Sequence, residues 1–150
     1  MQKNILILYG STTGNTEKLA KYIACELSKS YNIKIHNVCN LNYPYNIDNK
    51  FNLVILCCST WGIEPACLQE DFEYWCVNIN KDSLCNKLFT IFALGDSYYP
   101  YFAYSYDILK NFLEQNKGIL ATKGLKIQDP WENLLNQIHK EIAKIIKILK

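Results

Sequence analysis

The fold is decided by residues 4–27, which read NILILYGSTTGNTEKLAKYIACEL. Asn4–Tyr9 is a continuous apolar run without alternation, which is typical of a strand buried on both faces of a parallel sheet. Residues 16–28 then place Leu19, Ile23 and Leu27 on one face at helical spacing, so they predict a helix. A buried strand, a polar turn and an amphipathic helix in this order are the start of an α/β protein.

The same alternation continues along the chain. Further strands are predicted at 33–38, 53–58, 88–94 and 119–127. A helix is predicted over 104–113, and a last one follows Asp129 and Pro130, which suit the N-cap and the first helical position. These units predict an α/β fold, a doubly wound parallel sheet of five strands with helices on both faces. Because no linker or repeat divides residues 1–150, a single domain is expected.

Composition excludes several classes of protein. The 150 residues carry 16 lysines, no arginine and a net charge of +2, too little for nucleic-acid binding. The longest apolar runs fall far short of the roughly 20 residues that cross a bilayer, so a cytoplasmic protein without a membrane segment is expected. The 7 cysteines form no CxxC pair and no metal-ligand spacing. We expect reduced, mostly buried thiols and no metal site.

The turn after the first strand has the composition of a phosphate site. It consists of Ser11, Thr12, Thr13, Gly14, Asn15 and Thr16. Hydroxyl and amide side chains stand here beside the free backbone N–H groups of a helix start, which together suit one anionic phosphate. The turn matches neither GxxxxGK[ST] nor GxGxxG, which disfavours a nucleoside triphosphate with Mg²⁺ and a dinucleotide.

Two further loops follow buried strands and carry aromatic residues. The loop after 53–58 contains Ser59, Thr60, Trp61 and Gly62. The loop after 88–94 contains Gly95, Asp96, Tyr99 and Tyr101. Since ligands of such sheets bind beyond the carboxyl ends of the strands, all three loops are expected to meet. Aromatic groups there could hold a flat ring, and a flat ring with one phosphate describes FMN.

The chain resembles the short-chain flavodoxins in four motifs taken in order. They are STTGNTE at 11–17, STWG at 59–62, LQEDF at 68–72 and GDSYYPYF at 95–102. The resemblance implies a flavodoxin-like sheet with strand order 2-1-3-4-5 and bound FMN. It also implies a low-potential one-electron carrier that shuttles electrons between redox enzymes and is not itself an enzyme.

The resemblance also implies roles for individual residues. The turn at 11–16 would hold the FMN phosphate, with Ser59 and Thr60 nearby. Trp61 and Tyr99 would cover the two faces of the isoalloxazine ring, and the Gly62 carbonyl would accept a hydrogen bond from its protonated N5. Asp96 would lie near the polar edge of the ring. Ile63 departs from the pattern, since flavodoxins of this type often carry an acidic residue there.

The charge of the chain is unevenly distributed. Residues 51–109 have a net charge of −5, whereas the remainder has +7. The loops around the predicted flavin are therefore acidic, and we expect redox partner proteins with a basic surface to dock there on a monomer.

Two other functions are alternatives to the electron carrier. An FMN-dependent quinone or nitro reductase would need a site for NAD(P)H, and no second nucleotide motif is visible. A signalling receiver domain would need acidic residues after the first and third strands, where Gly10-Ser11 and Ser59-Thr60 stand instead.

Overall fold

The computed structural model describes residues 2–150, and strands and helices alternate in it as predicted. The strands are β1 (Asn4–Tyr9), β2 (Asn32–Asn37), β3 (Leu53–Trp61), β4 (Cys67–Leu68), β5 (Leu88–Gly95), β6 (Ile119–Leu120) and β7 (Leu125–Gln128). The α-helices are α1 (Asn15–Leu27), α2 (Glu70–Asn78), α3 (Ser105–Gln115) and α4 (Leu135–Leu149). Single 3₁₀ turns lie at Val38–Asn40, Lys81–Leu84 and Trp131–Leu134. Within residues 2–150, none of the helices is long and apolar enough to cross a membrane.

The sheet has the predicted order. Across the sheet the strands lie in the order β2, β1, β3, β5. Both β6 and β7 pair in parallel with β5, so these two short strands together fill the fifth position. The order 2-1-3-4-5 is therefore confirmed. The predicted count of five strands is not, because the sheet has seven. The fifth position is divided, and β4 adds a short antiparallel pair in which Leu68 faces Thr60.

Gly124 explains why the fifth position is divided. Its φ is 73°, and a Cβ there would overlap the carbonyl group of Ile91 on β5. Its N–H donates to Glu141 Oε2 at 3.0 Å instead of continuing the sheet. Glu141 is buried on α4, so this bond also satisfies a carboxylate that has little water around it. The Gly124 N–H is thus satisfied where the chain leaves the sheet between β6 and β7.

The helices cover the two faces of the sheet in pairs. On one face, α1 and α4 bury Leu19, Ile23 and Ile142 against the inward side chains of β1, β3 and β5. On the other face, α2 and α3 bury Trp75 and Leu109. Truncating such a buried leucine or isoleucine to alanine lowers the free energy of unfolding by about 2–5 kcal/mol. Because the two helix layers are packed this firmly on the sheet, the loops that connect strands and helices are held in position.

The start of the last helix differs from the prediction. Asp129 is not its N-cap and Pro130 is not its first residue, because the 3₁₀ turn intervenes and α4 begins at Leu135 without a side-chain cap. The Asp129 N–H instead donates to the carbonyl oxygen of Gly95 at 3.0 Å, and its Oδ2 accepts from Asn15 Nδ2 at 3.2 Å. Asp129 ties two loops at the carboxyl edge of the sheet, which a local capping pattern does not reveal.

The cysteines are less buried than predicted. Cys57 and Cys58 are buried in β3, but Cys67 and Cys76 are only partly buried. The exposed ones are Cys25, Cys39 and Cys85. The prediction of mostly buried thiols is therefore wrong, because three of the cysteines lie on outward positions of helices and turns.

Candidate functional site

The candidate site lies where three loops meet at the carboxyl edge of the sheet. β1 is parallel to β3, and β3 is parallel to β5, so the loops that follow these strands emerge side by side. After β1 the chain turns to β2 on one side, whereas β3 lies on the other. This reversal of strand order opens a crevice at the edge.

The loops enclose a cavity of about 660 Å³, within the usual range for small-molecule sites. It is lined by Thr13, Asn15, Thr16, Ser59, Thr60, Trp61, Gly62, Gly95, Asp96, Tyr99 and Tyr101 among the predicted residues. Ser11, Thr12 and Gly14 lie in the first loop but outside this lining. The prediction omitted Ile63, Leu94, Ala103, Asp129 and Pro130, which also line the cavity.

The first loop presents a helix N-terminus that no side chain caps. Gly14 precedes α1 with φ of 95°, and its N–H donates to Ser11 Oγ at 3.0 Å. Since the first N–H groups of a helix have no partner within it, those of Asn15, Thr16 and Glu17 need one from outside. Thr16 is buried beside them. The loop therefore offers uncapped N–H groups and hydroxyl groups to an anion without any lysine.

The acidic residue in the first turn of α1 is neutralised locally. Glu17 Oε2 pairs with Lys21 Nζ at 2.9 Å and accepts from Tyr9 Oη at 3.2 Å. The hydrogen bonds from Lys21 and Tyr9 hold the pKa of Glu17 below its ordinary value. Its carboxylate is thus ionised but engaged with Lys21, which limits its repulsion of an anion at the first loop.

The second loop places an aromatic ring over the cavity. Trp61 ends β3, and its Nε1 donates to Ser59 Oγ at 2.8 Å, which fixes the orientation of the indole. Its side chain is 40% exposed, and Tyr99 in the third loop is 43% exposed. Large aromatic residues that line a cavity and remain this open have faces available for a planar ligand.

Gly62 is required by the shape of the second loop. Its φ is 74°, in the left-handed region that favours glycine. A Cβ at this position would lie 2.6 Å from the carbonyl oxygen of Pro65. The adjacent Ile63 is exposed and lines the same cavity, so an apolar side chain stands where the resemblance supplies an acid.

Thr60 has a structural partner. Its hydroxyl donates to Ser105 Oγ at 2.9 Å and accepts from the Ser105 N–H at 3.0 Å. Ser105 is the buried first residue of α3. These two bonds join the end of β3 to the start of α3, which holds the third loop against the second.

The third loop is held by a side chain from the end of β7. Gln128 Oε1 accepts from the Ser97 N–H at 2.6 Å, and its Nε2 donates to Asp96 Oδ1 at 3.3 Å. Asp96 Oδ1 also accepts from the Tyr98 N–H at 2.9 Å. Gln128 is absent from the predicted site, and only the packing of β7 beside β5 brings it there.

The charged side chains of the cavity wall are carboxylates. Asp96 and Asp129 belong to the lining, which contains no lysine, and Glu64 lies in an adjoining cleft with Tyr101 and Tyr104. Across residues 2–150, no group of three or more His, Cys, Asp or Glu is placed to hold a metal ion.

These features fit the group that the sequence predicts. One end of the cavity offers N–H and hydroxyl donors for a phosphate, and the other offers open aromatic faces for a flat ring. The donors at the phosphate end include no cation. Such a set suits a single phosphate better than the three phosphates of a nucleoside triphosphate.

A family model described as Flavodoxin matches residues 7–140. The chain belongs to the flavodoxin family. It is 36% identical over 127 residues to a flavodoxin of Maridesulfovibrio salexigens, with 83% of this chain and 86% of that protein covered. Oxidised flavodoxin 1 from Bacillus cereus has a TM-score of 0.76 and 25% identity, with 95% and 98% of the two chains covered. Fusobacterium nucleatum flavodoxin bound to flavin mononucleotide has a TM-score of 0.78 at 18% identity, with 99% of each chain covered.

Family membership confirms the principal functional predictions. The chain is an FMN-containing electron carrier rather than an enzyme, and it works with redox partner proteins.

Proposed function

We propose that the chain is a single FMN-binding domain, residues 1–150, that holds the cofactor in the cavity at the carboxyl edge of the sheet. The observation that carries this proposal is the pairing of an uncapped helix N-terminus with two open aromatic side chains around one cavity of about 660 Å³. When bound, FMN supplies one-electron redox chemistry.

The phosphate end of the proposed site depends on neutral donors. The residues from Ser11 to Thr16 surround the start of α1, whose partial positive charge favours an anion. Ser11 Oγ already fixes the backbone at Gly14, so it shapes the turn. Thr13, Asn15 and Thr16 line the cavity and are proposed to contact the phosphate, with Ser59 and Thr60 nearby.

The ring end of the proposed site excludes water and orients the isoalloxazine. Trp61 and Tyr99 would cover the two faces of the ring, and Asp96 would lie near its polar edge, while Tyr101 and Gly95 complete the wall. The Gly62 carbonyl oxygen would accept a hydrogen bond from the ring. The left-handed φ of Gly62 supports this role because it permits the sharp turn that exposes a backbone carbonyl.

The carboxylates of the wall favour a low potential. Asp96, Asp129 and Glu64 would oppose negative charge on the bound cofactor by Coulomb repulsion. Asp107 contributes less, since Lys126 Nζ pairs with its Oδ2 at 2.7 Å. These residues, not Ile63, supply the negative field in this chain.

The same acidic edge is the proposed docking face for redox partners. Exposed Ile63, Tyr98 and Tyr104 provide apolar contact, and the surrounding carboxylates steer a partner with basic residues. We further propose that the protein is a cytoplasmic monomer that binds neither nucleic acid nor membrane. Electron transfer to a basic protein acceptor should slow as salt rises to about 0.5 M, whereas a rate independent of salt contradicts acidic docking.

The phosphate site is tested by comparing Thr13→Ala with Lys18→Ala in the apo-protein. Lys18 is the nearest following cation and is exposed on α1, whereas Thr13 lines the cavity. Thr13→Ala should weaken FMN binding by about 1–3 kcal/mol, the value of a charge-assisted hydrogen bond. A larger loss for Lys18→Ala would show that a side-chain cation, rather than the loop, holds the phosphate.

A further inference from the structure

Gln69 is a buried side chain that caps α2. It lies between β4 and α2 and is 1% exposed. Its Oε1 accepts from the N–H groups of Asp71 at 3.0 Å and Phe72 at 3.3 Å. Because an oxygen must face these two donors, the other terminal atom is the nitrogen. That Nε2 donates to Thr12 Oγ1 at 3.2 Å and to Asp71 Oδ2 at 2.8 Å.

The same side chain also lies against the backbone of the first loop. A Cβ at Gly10 would overlap Gln69 Oε1, so the carboxamide occupies the space directly beside this glycine. The Gln69 N–H donates to the carbonyl oxygen of Ser59 at 3.2 Å. One residue therefore contacts the first loop at Gly10 and Thr12, the end of β3 at Ser59, and the start of α2.

We propose that Gln69 is the positioning residue of the phosphate loop. It acts through Thr12 and Gly10, and it need not touch the cofactor. This inference rests on the proposed function, which assigns the FMN phosphate to the loop at 11–16. Because Thr12 Oγ1 accepts the amide hydrogen of Gln69, its own hydrogen stays free to donate to an anion.

A positioning role makes a selective prediction. Loss of the amide frees Thr12 and the turn beside Gly10, which lie at the phosphate end of the site. Binding of FMN should suffer, but binding of riboflavin, which has the same ring and no phosphate, should not. A general loss of stability would instead weaken both ligands in the same proportion.

The experiment measures FMN and riboflavin affinity of apo-protein carrying Gln69→Met, which keeps the length of the side chain and removes its amide. FMN affinity should fall about tenfold while riboflavin affinity changes by less than about twofold. Asn80→Ala is the matched control, because this amide also caps a helical turn, accepting from the Asp82 N–H at 3.1 Å, but follows the far end of α2. It should alter neither affinity.

Variants at Thr12 test the same contact without disturbing the core, since Thr12 is exposed. Thr12→Val removes the acceptor and should repeat the selective loss, whereas Thr12→Ser retains a hydroxyl and should restore FMN binding. In Thr12→Val, adding Gln69→Met should cause less further loss than it causes in the wild type, because the hydrogen bond between the two side chains is already absent. If Gln69→Met does not fold, Gln69→Asn, which shortens the side chain and withdraws its amide from Thr12, takes its place and should show the same selective loss of FMN affinity.

Two negative results have different meanings. If the wild type does not prefer FMN to riboflavin, the proposed phosphate site itself fails. If the wild type prefers FMN but Gln69→Met weakens both ligands equally, or neither, the positioning role of Gln69 is overturned and the phosphate site stands. Additive losses from Gln69→Met and Thr12→Val would also overturn it.

Discussion

Gly62→Ala is expected to destabilise the apo-protein through two separable effects. At φ of 74° a residue with a Cβ loses about 1–2 kcal/mol relative to glycine. The new Cβ would also lie 2.6 Å from the carbonyl oxygen of Pro65, a backbone atom that cannot rotate away. Moving the backbone to relieve this overlap adds roughly 1–3 kcal/mol. We therefore predict that the free energy of unfolding falls by about 2–5 kcal/mol.

Gly14→Ala is the matched control for this change. Gly14 has φ of 95°, but a Cβ there meets no atom within 4 Å. It should show only the conformational cost of about 1–2 kcal/mol. Urea denaturation of both apo-proteins, followed by far-ultraviolet circular dichroism, measures the difference. Equal losses in the two variants would refute the argument, since the contact with Pro65 would then contribute nothing.

Three further predictions concern the ring, the charges and the thiols. Trp61→Ala and Tyr99→Ala should each weaken FMN binding and restore its quenched fluorescence, and unchanged values in both would remove them from the site. The double variant Glu64→Gln with Asp96→Asn should raise the reduction potential for the second electron of bound FMN by about 30–70 mV per carboxylate at low salt. Redox titration measures this potential. An unchanged potential would show that stacking and desolvation, rather than charge, determine it. Burial raises the pKa of Cys58 to about 12 from 9.0, so the free energy of unfolding should decline as pH rises above 9, where the unfolded chain releases this proton first. Native protein should accordingly react with iodoacetamide at pH 8 only at its accessible thiols, and rapid labelling of Cys58 would contradict its burial.

The elements that the sequence predicted well are those with a local signal. Asn4–Tyr9 is a strand with the predicted limits, since an unbroken apolar run with polar residues on both sides leaves little freedom. The helix predicted at 16–28 is observed as Asn15–Leu27, because its apolar stripe has a clear helical period. The parallel order also follows from repeated strand–helix units, which allow few topologies.

The elements that differ depend on contacts between distant segments. The division of the fifth position depends on Gly124 lying against β5 and on Glu141 receiving its N–H. Asp129 and Pro130 match a capping pattern, yet the bond from Asp129 to Gly95 leads the chain past the cavity before α4 begins. Neither partner is a sequence neighbour, so no local pattern could have indicated these contacts.

The residues of the candidate site likewise include some with a local sequence signal and some without one. The loops at 11–16, 59–62 and 95–101 were predictable because unusual polar and aromatic residues follow buried strands. Gln69 and Gln128, which hold the first and third loops, were not, because a single glutamine carries no distinctive pattern. The motif LQEDF drew attention to Gln69 only as part of a resemblance, and its packing against Gly10 explains why a glutamine stands there.

The central claim is that this chain holds FMN in the cavity between α1, Trp61 and Tyr99. The most direct test is a crystal structure of the purified protein with one equivalent of FMN. We predict phosphate density within hydrogen-bond distance of the N–H groups of the loop at 11–16, with the ring between Trp61 and Tyr99. Density for the phosphate elsewhere, or a ring outside these two side chains, would contradict the account.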